Sequence, residues 1–150
     1  MKKHLDDISR ATLVKYRIEK SDRSLMEADC LAEKRFYDSA VTRLYYACYY
    51  ITSGLLIKNG IEATTHAGVK SMLALNFVRN GILDQKYIRV YSDLLNGRQL
   101  SDYEDFIYQD EDSYNEYKSE AKEFCNEIKK LINQNRDGSI PASDKKTKKP

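Results

Sequence analysis

Apolar residues recur three or four positions apart along most of the chain, which is the spacing of one face of an α-helix. The clearest example lies between residues 37 and 58, where one side of a helix would carry Ala40, Leu44, Ala47, Ile51 and Leu55. No segment shows the apolar–polar alternation of a strand that leads into a hairpin turn. The pattern therefore predicts an all-α protein with five helices, at about residues 5–33, 37–58, 66–79, 84–108 and 112–133.

Glycines, asparagines and capping residues mark the ends of these helices. The Asn-Gly pairs at residues 59–60 and 80–81 are typical of a helix C-terminus. Thr64 or Thr65 is placed to cap the third helix, and Asp84 is placed to cap the fourth. Helices joined by such short links usually pack side by side, so we expect an antiparallel bundle of four to five helices.

The bundle is predicted to occupy residues 5–135 as one domain, followed by a different kind of segment. Residues 136–150, RDGSIPASDKKTKKP, contain five basic and two acidic residues and few apolar ones. This composition is typical of a disordered basic tail. The tail contributes +3 to a formal net charge of +2, so the bundle itself carries −1 and its composition does not indicate a nucleic-acid-binding surface.

The overall composition, 41% hydrophobic and 32% charged, is that of a globular protein. No apolar run approaches the ~20 residues that cross a bilayer, and no apolar segment of a signal peptide follows the N-terminus. We therefore expect a cytoplasmic protein that does not enter a membrane. Cys30, Cys48 and Cys125 show no metal-ligand spacing, so we expect buried free thiols, with neither a metal site nor a cofactor indicated.

Two charges lie on the apolar face of the fourth predicted helix. With about 100° per residue, Asp102 lies about 40° from Arg98, and Tyr91 and Leu94 lie within about 40° of the same direction. An unpaired buried charge is costly, so Arg98 and Asp102 should contact each other or other polar groups. Replacing a buried ion pair by apolar residues is often neutral or stabilising, so a site that needs a fixed guanidinium, or a polar self-association surface, is an alternative to a simple structural ion pair.

A second polar set borders the apolar side of residues 37–58. Arg43 and Tyr50 lie next to it, although tyrosines at helical spacing are often core residues and an arginine there can be a surface residue. His66 opens the third helix, where backbone N–H groups favour anions. A histidine at this position is structural or functional, and a tight link would bring it close to the end of the second helix.

These residues together resemble the HEPN domain family. The resemblance rests on four stretches in order: MEADCLAEKRFYDSAVTRLYYACYY, TTHAGV, FVRNGILD and GRQLSDY. It covers about residues 5–135 and implies a helical bundle that pairs into a homodimer across the face that bears the arginine.

The resemblance also implies a chemistry. Active family members carry an arginine and then a histidine, with four to six residues between them, and cut RNA without a metal. Arg98 corresponds to the arginine, but Tyr103 stands at the histidine position, and a tyrosine with a pKa near 10 is a poor base at neutral pH. Ribonuclease activity is therefore an open question, with His66 as a substitute from another helix.

Three functions follow as expectations. The first is a dimeric module, catalytic weakly or not at all, that binds a nucleotide or RNA phosphate through Arg43, Arg98, Asp102 and Tyr50 and acts with a nucleotidyltransferase partner in a toxin–antitoxin or defence system. The second is a metal-independent ribonuclease toxin that uses Arg98 with His66 or Tyr103. The third is an interaction scaffold in which Arg98 and Asp102 hold two subunits in register.

Overall fold

The computed structural model describes residues 5–103 and 108–134, and the side chains of residues 100–103 lie outside this description. Five α-helices and no strand occur in these ranges, which confirms the all-α prediction. Their bounds are α1, Asp7–Glu33; α2, Tyr37–Lys58; α3, His66–Leu73; α4, Lys86–Tyr103; and α5, Glu111–Gln134. A wider π-helical turn, Ala74–Val78, continues α3 and completes the third predicted helix.

Helix α2 is the centre of the bundle and packs against all four other helices. Its predicted apolar residues are fully buried; this aliphatic stripe consists of Ala40, Leu44, Ala47, Ile51 and Leu55. A second row beside the stripe is buried as well and contains Val41, Tyr45, Cys48 and Thr52. Burial around most of its circumference explains why α2 is apolar on more than one side.

Side-chain caps fix where the helices begin. The Asp6 carboxylate accepts the N–H of Ser9 at 2.7 Å, and the Thr65 hydroxyl accepts the N–H of Gly68 at 2.9 Å. Asp84, the predicted cap of the fourth helix, accepts the N–H of Lys86 at 2.8 Å, and α4 begins at Lys86. Each bond satisfies a backbone donor that a helix start leaves without a partner.

The link between α2 and α3 is tight, which decides where α3 begins. Gly60 has a φ of 71°, a left-handed conformation that glycine adopts without steric cost. The N–H of Ile61 then donates to the carbonyl of Leu56 at 2.9 Å. The chain therefore turns back at once, and His66 begins α3 beside α2.

The cysteine prediction is confirmed for two residues and wrong for one. Cys48 and Cys125 are buried free thiols whose sulfurs lie 4.0 Å apart between α2 and α5. Cys30 is a free thiol but exposed, because it lies on the outer side of α1, which buries only one of its faces.

Within the ranges 5–103 and 108–134, no helix combines the length and apolar character that crossing a bilayer requires. The tail, residues 136–150, lies outside the described residues. Its predicted disorder and the domain limits 5–135 therefore stay predictions.

Candidate functional site

His66 is the first residue of α3, and its ring lies against the tyrosines of α2. The imidazole stacks on the Tyr49 ring with centroids 4.3 Å apart and planes 18° apart. Its Nδ1 atom lies 2.6 Å from the Tyr45 hydroxyl oxygen. Two contacts of different kinds thus fix both the plane of the ring and its rotation.

Tyr45 continues this contact into the core. Its ring is fully buried, and its hydroxyl oxygen lies 3.3 Å from that of Tyr91 on α4. Hydrogen bonds therefore connect α3, α2 and α4 through His66, Tyr45 and Tyr91. Burial raises the pKa of Tyr45 to about 12, so its hydroxyl keeps its proton at neutral pH.

Arg98 approaches the same tyrosines from α4. Its guanidinium carbon lies 5.4 Å from the centroid of the Tyr46 ring and 5.9 Å from that of Tyr45. His66 contacts both rings too, with 5.7 Å between centroids in each case. The structure thus brings Arg98 and His66 together, although 31 residues separate them in sequence. We call this cluster the His66–Arg98 site; it consists of His66, Arg98, Tyr45, Tyr46, Tyr49 and Tyr91.

Charge and burial both act on the protonation of His66. Burial lowers the pKa of His66, and the nearby positive charge of Arg98 lowers it further. The imidazole is therefore neutral at pH 7. A neutral imidazole carries one ring proton, and two arrangements fit the contacts: Nδ1–H donates to Tyr45, or Tyr45 donates to Nδ1.

Gly97 sets the approach of α4 to α5 next to Arg98. A Cβ atom at Gly97 would lie 2.8 Å from the Tyr117 hydroxyl oxygen and 2.9 Å from the ring carbon that bears it. Both distances are far below van der Waals contact, so only glycine fits here without a shift. Gly97 therefore allows α4 to pack closely on α5 at the turn from which Arg98 reaches the tyrosines.

Arg43 and Tyr50 lie at the outer edge of the site. The Arg43 guanidinium carbon is 5.0 Å from the Tyr46 ring centroid, and its Nη1 is 3.2 Å from a carboxylate oxygen of Glu27. The Tyr50 ring lies 5.8 Å from that of Tyr46, with the Lys20 ammonium 4.9 Å from its centroid. The structure therefore places both predicted residues beside Tyr46, with Arg43 also held in an ion pair.

The side chains of Asp102 and Tyr103 lie outside the described residues. Their backbone belongs to the last turn of α4 that the structure describes. The predicted contact between Arg98 and Asp102, and the roles of Asp102 and Tyr103, therefore stay predictions. In the part of the chain that is described, no three His, Cys, Asp or Glu side chains come together as metal ligands would.

Sequence reasoning missed Tyr45 and Tyr49, which hold His66. The signal was present in the spacing: Val41, Tyr45, Cys48 and Thr52 follow one another at intervals of four, three and four residues. This is a second helical row, about 40° to 100° from Leu44 around the helix. A helix with two such rows is central to its bundle, and a tyrosine in the second row needs a polar partner for its hydroxyl.

Comparison with known proteins agrees with the fold and the motifs. The model of the HEPN domain family matches residues 14–132. The chain is 35% identical over 121 residues to a Methanocaldococcus jannaschii protein named as a candidate toxin, covering 79% of this chain and 81% of that protein. A second candidate toxin of the same organism is 32% identical over 120 residues, covering 78% and 87%. A Thermotoga maritima protein named UPF0332 is 28% identical over 120 residues, covering 80% and 91%.

Proposed function

The chain belongs to the HEPN domain family, and on that premise we propose that it is a toxin-type module that binds RNA at the His66–Arg98 site. One observation carries the proposal: Arg98 and His66, from different helices, lie against the same two tyrosine rings, Tyr45 and Tyr46. The names of two relatives, both candidate toxins, support the toxin class. An arginine offers a planar fork of donors that matches a phosphate, and tyrosine rings offer faces on which unpaired bases stack.

The position of Arg98 favours a phosphate over a purely structural role. The side chain is half-buried beside two phenol groups, where the effective dielectric is lower than in water and a charged hydrogen bond is stronger. The guanidinium of Arg43 also contacts the Tyr46 ring, so a second positive charge lies beside the site. A strand of RNA at this edge would meet two positive charges with an aromatic ring next to both.

Binding is tested with a fluorescent single-stranded oligonucleotide and purified protein. We expect Arg98→Gln to weaken binding by about tenfold and to reduce the dependence of log K on log salt by about 0.7, the value for one phosphate of a single strand. Arg89→Gln is the matched control, because Arg89 lies on the same helix but is exposed. Equal affinities of wild type and Arg98→Gln would remove Arg98 from the proposed site.

RNA cleavage is a second candidate function. It is favoured because His66 contacts the same two tyrosine rings as Arg98, so an imidazole lies near the proposed phosphate site. The imidazole would take the proton of a ribose 2′-hydroxyl, and the 2′ oxygen would attack the adjacent phosphorus. The bond from phosphorus to the 5′ oxygen breaks, that oxygen takes a proton from water, and a 2′,3′-cyclic phosphate remains. Arg98 would stabilise the added negative charge on the phosphate.

The hydrogen bonds around His66 suit this role in one of the two arrangements. When Nδ1–H donates to Tyr45, the Tyr45 hydroxyl donates to Tyr91, and Nε2 keeps the lone pair that a base needs. The lowered pKa keeps the imidazole neutral at pH 7 and ready to accept a proton. Tyr45 is then a positioning residue that fixes the tautomer.

Cleavage is tested with end-labelled RNA in excess EDTA, together with growth of cells that express the protein. We expect 2′,3′-cyclic phosphate products and growth arrest from wild type, and neither from His66→Gln, which retains affinity for RNA. Persistent cleavage by purified His66→Gln would exclude His66 as the base. Absence of cleavage by the wild type leaves binding, tested above, as the function.

Assembly and location are part of the same proposal and rest on the family resemblance. We propose a homodimer across the α4 face that carries Arg98, a nucleotidyltransferase as the partner protein, and action in the cytoplasm. The scaffold function makes a distinct prediction: Asp102→Ala would convert a dimer into a folded monomer in size-exclusion chromatography, whereas RNA affinity per subunit would not depend on Arg98.

A further inference from the structure

A cavity beside α2 is lined in part by Tyr49, which also belongs to the His66–Arg98 site. It has a volume of about 720 Å³ and lies between the first half of α1, the second half of α2 and the link that precedes α3. We call it the arginine pocket, and the lining residues that matter here are Arg10, Arg17, Tyr49, Ser53, Ile61 and Val69. Its size falls within the usual range of pockets for small organic groups.

Two arginines supply the charge of this pocket. Arg17 donates from Nη1 to the Ser53 hydroxyl at 2.5 Å, and Arg10 donates to the carbonyls of Ile57 and Leu5 at 2.7 and 3.4 Å. These three hydrogen bonds are the ones that Arg10 and Arg17 form with described residues. Neither guanidinium forms an ion pair with a described carboxylate. Each arginine has five N–H donors, so most of them remain available to a bound group.

Two lysines that bridge α5 and α1 are arranged differently. Lys118 lies 2.9 Å from Asp29, and Lys129 lies 2.9 Å from Asp22, so each of these two ammonium groups on α5 has a carboxylate on α1. Arg10 and Arg17 are both half-buried and line the same cavity. Among the residues that line it, these two positive charges face one carboxylate, that of the exposed Glu62. The excess of positive charge favours an anion.

The remaining walls of the arginine pocket are apolar and aromatic. Val69 is almost fully buried at its base, Ile61 is half-buried, and the half-buried Tyr49 ring forms one side. The Tyr49 ring also stacks on His66 at 4.3 Å between centroids. Tyr49 therefore belongs to both the arginine pocket and the His66–Arg98 site.

We propose that the arginine pocket is a second RNA subsite, which holds a nucleotide next to the one whose phosphate lies at Arg98. This inference rests on the proposed function. Arg10 and Arg17 bind the phosphate of that nucleotide, and its base packs on Tyr49 and the apolar walls. A positively charged groove with aromatic rings along it is the general design of single-strand binding sites.

The number of phosphates in the ligand separates the two subsites. A dinucleoside monophosphate has one phosphate, which binds at Arg98. An eight-residue oligonucleotide has enough phosphates to contact both Arg98 and the arginines of the arginine pocket. We expect Arg17→Gln to weaken binding of the oligonucleotide by about tenfold and to reduce the dependence of its log K on log salt by about 0.7. Binding of the dinucleotide should change little. Arg98→Gln should weaken both ligands.

Glutamine is chosen at position 17 because its amide can still donate to Ser53 and preserve the fold, which circular-dichroism melting checks. Lys15→Gln is the control, since Lys15 is an exposed residue of α1 that does not line the pocket. If Arg98→Gln weakens the oligonucleotide and Arg17→Gln does not, the second subsite is wrong and the proposed function stands. If Arg98→Gln has no effect on either ligand, the proposed function and this inference both fall.

Discussion

Two faces of α2 differ in their chemistry although they belong to one helix. The aliphatic stripe, Ala40 to Leu55, contains no polar side chain and is fully buried. The tyrosine face, which we define as Tyr45, Tyr46 and Tyr49, carries three hydroxyls and contacts an imidazole and a guanidinium. Both faces exclude most water, but only the second contains groups that can hold a proton or a charge.

The difference shows how this bundle separates stability from chemistry. The aliphatic stripe stabilises the fold through apolar burial, which is proportional to area and needs no particular partner. The tyrosine face orients His66 and Arg98 through hydrogen bonds and ring contacts, which depend on geometry. Changes on the two faces should therefore have different signatures.

The largest effect on stability is expected from the aliphatic stripe. Ile51→Ala removes three buried carbons and leaves a cavity, so we expect the free energy of unfolding to fall by about 2–5 kcal/mol. Urea denaturation measures this. Ile8→Ala on α1 is the matched control, because Ile8 is 81% exposed and should change stability by less than about 0.5 kcal/mol. Equal losses in both variants would contradict the assignment of the core to α2.

The next effect tests how α4 is held beside the tyrosine face. Alanine normally stabilises a helix interior relative to glycine by up to about 1 kcal/mol. At Gly97 the new Cβ would overlap the rigid Tyr117 ring, so we expect a net loss of about 1–3 kcal/mol. Asn96→Ala, on the exposed side of the same turn, should not show this loss.

A second mutation identifies the cause of the Gly97→Ala loss. Combined with Tyr117→Ala, which removes the ring, Gly97→Ala should no longer reduce the free energy of unfolding and should raise it by up to about 1 kcal/mol. An additive loss in the double mutant would show that another contact opposes the Cβ atom.

A smaller effect is expected from a single hydroxyl of the tyrosine face. Tyr45→Phe keeps the ring but removes the hydroxyl that contacts His66 and Tyr91, so stability should fall by about 1–2 kcal/mol. Tyr49→Phe is the control: the Tyr49 hydroxyl makes no hydrogen bond within the described ranges, and the ring stacking on His66 is retained. Denaturation of both variants in parallel should rank Tyr45→Phe as the more damaging change.

The smallest effect is the pH dependence that His66 contributes. Because folding lowers the pKa of His66 from 6.5, the unfolded chain binds more protons between the folded pKa and 6.5. Stability from this group is present above about pH 6.5 and decreases as the pH falls through that window. His66→Gln should remove this part of the pH dependence, measured as unfolding free energy at several pH values.

The same pKa reports on Arg98 directly. Arg98→Gln removes one cause of the lowering, so the pKa of His66 should rise in NMR titration and yet stay below its ordinary value, because burial remains. The exposed Arg89→Gln should leave the pKa unchanged. A rise in Arg89→Gln equal to that in Arg98→Gln would mean that general charge, and not the position of Arg98, lowers the pKa.

The sequence by itself determined the helices of this protein. Helical spacing, Asn-Gly pairs and capping residues are local, so the bounds of α2 at Tyr37–Lys58 and a cap at Thr64 or Thr65 were predicted from the sequence, and the structure places that cap at Thr65. The burial of the aliphatic stripe was predicted for the same reason, since a helix with one apolar side must turn it inward. Arg98 on the inner side of α4 also follows from its angle to Tyr91 and Leu94.

Only the tertiary structure decided what meets Arg98. His66 lies on α3, Tyr45 on α2 and Arg98 on α4. These side chains become neighbours only through the packing of the three helices. The pairing of Arg17 with Ser53, and the cavity they line, likewise depends on how α1 lies on α2. Local spacing fixes directions around one helix axis, but distances between side chains on different helices depend on packing angles and links that no local pattern encodes.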